Sequence, residues 1–259
     1  MQTIKALTFF DLDGTLLDEH SKITPEIAEA MVQLRKNGVM PIIATGRTNC
    51  EIQDTLDKTG INSVISMNGQ YVLFDGKEIY SSQLSPETCA KMLKLTQANG
   101  HDLGFYNANK IAVTQHNSLV KKTYNLIHSD LPEIQPDFYE KEPVNMLLVL
   151  SEDQTTDPIY FEAFPDLTFF RNGPYSIDTI AGDGSKGNGV RKLIENLGLE
   201  DVPTYAFGDG SNDIDLFLAC ENRIAMGNAI PQLKEIATHI TTKNTDHGIV
   251  NALNHFHLL

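Results

Sequence analysis

The sequence has few cysteines and no long apolar segment. Cys50, Cys89 and Cys220 are far apart and form no Cys-x-x-Cys pair, which argues against a disulfide framework and against a zinc site. No apolar run approaches the ~20 residues that a bilayer-spanning helix needs, and nothing at the amino terminus is typical of a signal peptide. We therefore expect a protein of the reducing cytoplasm without a membrane partner.

Basic residues are also scarce. The 20 lysines and arginines are scattered among 34 aspartates and glutamates, so the formal net charge is -14. Because proteins that bind nucleic acid rely on clustered lysine and arginine, we expect no nucleic-acid partner. A small anionic substrate remains compatible with this charge, since one lysine or one metal ion can dominate the local field.

Strand-like and helical patterns alternate at both ends of the chain. In the first part, strands are expected over residues 4–10, 39–44 and 64–67, helices over 25–37 and 49–58, and a hairpin over 71–80. Beyond residue 185, helices are expected over 186–197, 212–219, 230–236 and 246–256, and strands over 203–207, 223–226 and 238–242. This alternation predicts a parallel sheet with right-handed crossovers.

The middle of the chain has a different pattern. Helices are expected there over residues 86–99 and 117–128, and strand-like stretches over 103–114, 144–150 and 167–180. This order is typical of an α+β domain with an antiparallel sheet. We therefore predict an α/β fold in which a Rossmann-like parallel-sheet core, residues 1–83 and 181–259, carries an inserted domain at residues 84–180.

Two carboxylates stand one residue apart in the run Asp11-Leu12-Asp13-Gly14-Thr15, directly after the first expected strand. In extended backbone, residues i and i+2 point to the same side, so both acids could face one site. Placing two like charges in one cleft is costly unless a cation or a shared proton compensates. Asp-Gly also closes ordinary turns, so the pair by itself leaves a plain turn as an alternative.

Three further loops follow strands or begin helices at the same expected edge of the sheet. They are Thr45-Gly46-Arg47, Gly184-Ser185-Lys186-Gly187 and Gly208-Asp209-Gly210-Ser211-Asn212-Asp213. Ligands of open parallel sheets bind beyond the carboxyl ends of the strands. A threonine hydroxyl and a glycine amide can cradle a phosphate, and Asp209 offers an oxygen ligand of the kind that Mg²⁺ prefers. Taken singly, these loops also fit helix-start turns and a surface lysine.

Together, the four loops resemble the D-x-D-G-T, T-G-R, Lys-Gly and G-D-x-x-N-D motifs of the haloacid dehalogenase (HAD) superfamily. Asn68-Gly69 and the placement of the insert between the second and third motifs are similar to the Cof-type branch, which has a type IIB α/β cap domain. The resemblance covers nearly the whole chain and implies that the insert at residues 84–180 is this cap. It further implies that the cap closes over the cleft and selects the substrate, with Asn109, Lys110 and Arg171 as polar candidates.

The resemblance also implies a role for each motif residue. Asp11 would attack phosphorus and form an aspartyl-phosphate, and Asp13 would protonate the leaving alcohol and then deprotonate the attacking water. The expected ligands of Mg²⁺ are Asp11, the Asp13 backbone carbonyl and Asp209. The expected phosphate contacts are the Leu12 and Gly46 amides, Thr45, Lys186 and Asn212. Asp213 would orient Lys186 or a metal-bound water, and Arg47 would contact the leaving group or simply cap a helix at the surface.

The function implied is a Mg²⁺-dependent phosphatase that acts on small phosphorylated metabolites, such as sugar phosphates or nucleotides. Two alternatives remain at this stage. A phosphomutase would use the same four loops and transfer the phosphoryl group to a second hydroxyl. A non-catalytic module that binds phosphate or Mg²⁺ could share the fold, although such a module has no need of a proton-carrying Asp13.

Overall fold

The computed structural model describes residues 4–127, 129–171 and 173–259. The strands are Ala6–Phe10 (β1), Val39–Ala44 (β2), Val64–Ser66 (β3), Tyr71–Phe74 (β4), Lys77–Ser81 (β5), Asp102–Tyr106 (β6), Ile111–Val113 (β7), Glu133–Ile134 (β8), Met146–Leu150 (β9), Leu167–Phe170 (β10), Ser176–Ala181 (β11), Thr204–Gly208 (β12), Asn222–Ala225 (β13) and His239–Ile240 (β14). The helices are Pro25–Lys36 (α1), Gln53–Thr59 (α2), Pro86–Ala98 (α3), Ser118–Leu126 (α4), Phe138–Lys141 (α5), Asp157–Ala163 (α6), Lys186–Leu197 (α7), Ile214–Leu218 (α8), Pro231–Ile236 (α9) and Gly248–His255 (α10).

The chain folds into two compact units. Unit one comprises the described chain up to Arg47 together with Ile52–Tyr80 and Ser185–Leu259, and unit two comprises Thr48–Glu51 and Ser81–Gly184. Residues 1–3 of the expected core, His128 at the end of one expected helix and Asn172 within one expected strand lie outside the described residues.

Unit one is built on a largely parallel sheet, which confirms the predicted α/β class. The strand order is β14-β13-β12-β1-β2-β3-β4-β5, and the neighbours from β14 to β3 run parallel. Successive residues of β1 join different apolar clusters, Leu7 and Phe9 in one and Ala6 and Phe10 in the other. A strand that is covered on both faces in this way explains the continuous apolar run in the sequence.

Helices cover both faces of this sheet. Helix α1 begins where the sequence predicts it, with the Thr24 hydroxyl accepting from the Ile27 amide and Pro25 in the first turn. Its buried side chains share a cluster with α10, whereas α7, α8 and α9 contribute to the cluster on the opposite face. Each fully buried leucine or phenylalanine stabilises the fold by about 1.5–3 kcal/mol relative to exposure.

A tight hairpin completes one edge of the sheet, as predicted. Strand β3 pairs antiparallel with β4, and β4 is joined to β5 by Asp75 and Gly76. Both turn residues have positive φ, 49° and 73°, which is the requirement of a type I′ turn and the reason that Asp-Gly suits it.

Unit two contains a second sheet with the order β10-β11-β9-β6-β7-β8. Its pairs are antiparallel except β7 with β8, which is parallel. The stretch expected as one strand over 103–114 is two strands, because the Asn107 side chain accepts from the Asn109 and Lys110 amides and closes a turn between them. Helices α5 and α6 were not predicted, since elements of four and seven residues are too short to show helical periodicity.

Arg171, expected as a substrate candidate, is an internal structural residue of unit two. Its guanidinium donates to both carboxylate oxygens of Asp157, at 2.6 and 2.5 Å, and to the Ser151 carbonyl at 3.1 Å. The Arg171 and Asp157 side chains are only 12% and 10% exposed. Lys110, another candidate, forms an exposed pair with Glu133 at 3.0 Å.

All three cysteines are free, and Cys89 and Cys220 are buried. Within the described ranges, no helix combines the length and apolar composition that crossing a membrane requires.

Replacing Arg171 should destabilise unit two, because Asp157 would keep its charge in a buried position without a partner. We expect Arg171→Met to cost about 3–5 kcal/mol, measured as loss of hydrogen-exchange protection at the β9 and β11 amides. Lys110→Met removes an exposed ion pair and serves as the control, with an expected cost below about 1 kcal/mol. Equal effects of the two substitutions would contradict this assignment.

Candidate active site

The four sequence loops meet in unit one at the carboxyl edge of the core sheet. Asp11 follows β1, Thr45 follows β2 and Asp209 follows β12, and β1 lies between β2 and β12 in the sheet. From β1, the strands β2 and β3 extend the sheet in one direction, and β12, β13 and β14 extend it in the opposite direction. Such a reversal of strand order is where ligands of open α/β sheets bind.

The first loop is a turn closed by two backbone hydrogen bonds that each span five residues, and Asp13 and Gly14 within it have non-helical backbone angles. The Leu16 amide donates to the Asp11 carbonyl and the Leu17 amide to the Leu12 carbonyl, at 3.2 and 2.9 Å. Asp11 is 6% exposed, while the Asp13 side chain is 54% exposed. The two acids therefore differ in burial, because the chain leaves the extended conformation in the turn that follows Asp11.

Lys186 is fully buried and joins two carboxylates. Its Nζ donates to Asp11 Oδ1 at 2.6 Å and to Asp213 Oδ1 at 2.7 Å. Burial by itself would lower the pKa of the lysine, but the two carboxylates outweigh it and hold the pKa above its usual value. These are the charges that compensate a lysine at a helix start, where the helix dipole disfavours a cation.

Close backbone contacts hold the start of α7 where Lys186 can reach Asp11 and Asp213. Ser185 caps the helix by accepting from the Asn188 amide at 2.9 Å, and its hydroxyl also contacts Asp215. A side chain at Gly187 would collide with the Asp215 carbonyl, and one at Gly69 with the Ser185 carbonyl. The absence of side chains at these glycines lets the helix start approach its neighbours closely enough to bury Lys186.

Asp213 uses both of its carboxylate oxygens inside the protein. Oδ1 accepts from Lys186, and Oδ2 accepts from the backbone amides of Asp209 and Gly210, each at 3.0 Å. The residue is completely buried. Asp213 therefore positions the lysine and the Asp209 loop at the same time, which supports the role expected for it.

Asp209 carries a carboxylate that is poorly compensated. Burial, followed by the negative charge of Asp213, raises the pKa of Asp209 to about 6. Its Oδ2 accepts from Asn228 Nδ2 at 3.2 Å, and the Thr15 hydroxyl lies 3.5 Å from its Oδ1. Both donors are neutral.

These charges fit a hard divalent cation. One oxygen from each of Asp11, Asp209 and Asp213 lies within 4.8 Å of the others, and Lys186 is the basic residue paired with two of the three acids. Burial raises the pKa of Asp11 well above its ordinary value, against the opposing effect of Lys186. Asp213 already accepts three hydrogen bonds, so Asp11 and Asp209 offer the freer oxygens for such an ion, and Mg²⁺ prefers oxygen ligands of this kind.

The Thr45-Gly46-Arg47 loop lies at the end of β2 beside this cluster. The Thr45 hydroxyl accepts from the Arg47 amide at 3.1 Å, and its backbone amide donates to the Ile65 carbonyl at 2.8 Å. Arg47 donates through Nε and Nη2 to the two oxygens of Asp13, at 2.9 and 2.6 Å. In this structure Arg47 thus engages the expected acid/base residue in a bidentate pair.

Two asparagines link the last loop to the turn after β3. Asn212 Nδ2 donates to Asn68 Oδ1 at 3.2 Å. Asn68 is buried and has positive φ, 51°, within the turn Met67–Gly69. The Asn-Gly pair noted in the sequence therefore contacts the residue expected to bind phosphate.

Sequence reasoning overlooked Asn228. It follows β13, the neighbour of β12, so its place at the carboxyl edge of a predicted strand was the available signal. Its side chain contacts the Asp209 carboxylate and the Gly14 carbonyl. No motif marked it, because a lone asparagine after a strand is typical of many ordinary turns.

Comparisons with known proteins bear on this site. The family model described as haloacid dehalogenase-like hydrolase matches residues 8–253. A Bacillus subtilis protein described as "Putative phosphatase YkrA" is 34% identical over 255 residues, covering 98% of each chain. A crystal structure of a hypothetical protein from Geobacillus kaustophilus HTA426 has a TM-score of 0.91 at 32% identity, covering 98% of this chain and 100% of that one. The structure of the "HAD Subclass IIB Sugar Phosphatase BT4131" has a TM-score of 0.86 at 28% identity, with the same coverage.

Gly14 should tolerate no side chain. Its φ is 78°, and an added Cβ would collide with Asp209 Oδ2. We expect Gly14→Ala to lose about 1–2 kcal/mol for the backbone conformation and a further 1–3 kcal/mol, roughly, for overpacking, measured by thermal unfolding.

Gly198→Ala is the matched control, since Gly198 has φ 62° and open space around its Cβ position. It should show the backbone cost alone. A Gly14→Ala protein no less stable than Gly198→Ala would refute the proposed crowding by Asp209.

Proposed function

We propose that this chain, which belongs to the haloacid dehalogenase-like hydrolases and is a phosphatase of that family, catalyses a Mg²⁺-dependent reaction. In this reaction, Asp11 would form an aspartyl-phosphate. The family resemblance seen in the sequence, including its Cof-type, subclass IIB branch, is confirmed. The substrates proposed are small phosphorylated metabolites. The observation that carries the mechanism is the buried contact of Lys186 with Asp11 at the convergence of the acidic loops.

Asp11 is suited to act as the nucleophile. Its Oδ1 is held by Lys186, so the orientation of the carboxylate is defined before substrate binds. A carboxylate oxygen of Asp11 would form a bond to phosphorus as the bond from phosphorus to the leaving oxygen breaks. Water would then attack phosphorus and release Asp11. Covalent catalysis of this kind divides one difficult displacement into two easier ones.

Asp13 is suited to carry the proton. Its exposed side chain can meet the leaving oxygen and later the attacking water, whereas Asp11 is buried. Arg47 holds Asp13 in this structure, so we assign Arg47 to orient the acid/base residue. Contact of Arg47 with the leaving group, the other role considered, would require this pair to separate.

The remaining motif residues would hold the phosphoryl oxygens. We assign this role to Lys186, the Thr45 hydroxyl, the Asn212 amide and the backbone amides of Leu12 and Gly46, because groups of this kind stabilise charge in phosphoryl transfer. When bound by Asp11, the Asp13 carbonyl and Asp209, Mg²⁺ would offset the carboxylates and polarise a phosphoryl oxygen. The acidic cluster and the raised pKa of Asp209 support that assignment.

Sugar phosphates are the first substrate class to examine. A relative that is 28% identical across nearly the whole chain is described as a sugar phosphatase, and nucleotides are the second class. The residues assigned to the phosphoryl group all lie in unit one. By the family resemblance, we assign selection of the leaving group to unit two, the expected cap domain.

We also propose a cytoplasmic location, which the three free cysteines support.

Replacing Asp11 should abolish turnover. We expect Asp11→Asn to lower Mg²⁺-dependent release of phosphate from p-nitrophenyl phosphate by at least about 10³-fold. Asp54→Asn, which alters an exposed ion pair with Lys58, is the control and should retain activity. Undiminished activity of Asp11→Asn would exclude the aspartyl-phosphate. Isomerised sugar phosphate in place of inorganic phosphate would instead identify a mutase, and no turnover of any metabolite phosphate would favour a binding module.

Replacing Asp13 should matter most when the leaving group needs a proton. For Asp13→Asn we expect a loss of about 10²–10⁴-fold with sugar phosphates. The loss in kcat/KM with p-nitrophenyl phosphate should be much smaller, because nitrophenolate leaves without protonation. We compare kcat/KM, which reports the first phosphoryl transfer, for the two substrates in both proteins. Equal losses in kcat/KM would argue against proton donation by Asp13 to the leaving group.

A further inference from the structure

Asn228 is the side chain that fixes the direction of the Asp209 carboxylate. Its Nδ2 donates to two oxygens, the Gly14 carbonyl at 2.8 Å and Asp209 Oδ2 at 3.2 Å. Its Oδ1 accepts from the Asn244 amide at 3.1 Å. Because a backbone N–H can only donate, the amide group of Asn228 is held with its nitrogen toward Asp209.

Asn244 extends this contact into a short chain of hydrogen bonds. Besides donating its backbone N–H to Asn228, it donates through Nδ2 to the Leu17 carbonyl at 2.8 Å. The two asparagines therefore connect the Asp209 loop to the middle of the turn after Asp11, at Gly14, and to its end, at Leu17. An arrangement held at several points keeps its geometry better than a single contact does.

The two oxygens of Asp209 are consequently not equivalent. Oδ2 is occupied by Asn228, and the space on that side is bounded by Gly14, where a Cβ would collide with Oδ2. For Oδ1, the donor found among the described residues is the Thr15 hydroxyl, at 3.5 Å. Among the described residues, no basic side chain forms a salt bridge with Asp209. One oxygen is thus left for a cation.

We propose that Asn228 restricts Asp209 to binding a metal ion through one oxygen and thereby favours Mg²⁺ over Ca²⁺. Mg²⁺ demands a near-octahedral shell and takes carboxylates through single oxygens, whereas Ca²⁺ accommodates bidentate carboxylates and a larger shell. Bidentate binding by Asp209 would have to share Oδ2 between the ion and the Asn228 donor, on the side where Gly14 lies against that oxygen. The inference rests on the proposed metal dependence and deepens it by identifying a residue that selects the ion.

The test measures metal binding directly. Metal-free protein is titrated calorimetrically with MgCl₂ and, separately, with CaCl₂, and the ratio of the Ca²⁺ Kd to the Mg²⁺ Kd is compared between variants. Residues that orient metal ligands typically change affinity by about 10–100-fold. We expect Asn228→Ala to lower the ratio by about tenfold relative to the parent protein. Asn196→Ala, on the exposed face of α7, should leave it unchanged.

A second variant distinguishes a change in metal selectivity from a general loss of folding. Asn228→Asp retains the acceptor for the Asn244 amide but loses the donor to Asp209, so its ratio should also fall. Unchanged ratios in both folded variants would overturn the inference and leave the catalytic proposal standing. Loss of folded protein in both variants without metal would also overturn it, since Asn228 would then serve the fold. Absence of Mg²⁺ binding by the parent protein would refute the proposed metal dependence itself.

Discussion

The buried ammonium of Lys186, held between Asp11 and Asp213, is the contact around which the site is organised. A lysine at the start of a helix has an unfavourable position in the helix dipole, and burial adds a desolvation cost. Two carboxylates offset both. Removing either one would leave a charge buried without full compensation, so the lysine loop and the two acidic loops must assemble together.

This assembly also depends on three glycines, at positions where a side chain would collide with a neighbouring segment. Gly187 and Gly69 lie where a Cβ would collide with neighbouring backbone, and Gly14 lies where one would collide with Asp209. Close approach of three loops therefore brings the carboxylates together. Burial first, and then repulsion from neighbouring carboxylates, raises the pKa values of Asp11 and Asp209, and a bound cation would relieve the repulsion.

Asp11 and Asp13 differ in burial and in their basic partners although they are only two residues apart in the sequence. In the turn that begins at Asp11, the Asp11 carboxylate is buried against Lys186, whereas Asp13 is exposed and pairs with Arg47. A nucleophile benefits from a fixed, desolvated position, while a proton carrier needs access to the leaving group and to water. One short turn thus supports two different chemical roles for the same residue type.

Much of this could be predicted from the sequence, because it depends on local order. Hydrophobic periodicity and turn residues predict the alternation of strands and helices in unit one, the helix start at Thr24-Pro25 and the hairpin at Asp75-Gly76. The positions of the four loops follow from where those elements end. Long-range contacts were not predictable. The role of Arg171 depends on Asp157, a residue fourteen positions away. Likewise, the Asn228 contact with Gly14 spans 214 residues.

The sequence by itself therefore determined which residues reach the carboxyl edge of the sheet, since the loops at the ends of parallel strands all lie at one edge. Only the tertiary structure decided which oxygen meets which donor. It buried Asp11 and left Asp13 exposed, paired Arg47 with Asp13 and directed Asn228 to one oxygen of Asp209. The physical reason is that hydrogen bonds and ion pairs are sensitive to differences of a few tenths of an ångström in distance, and these distances are set by the packing of segments that are far apart in the sequence.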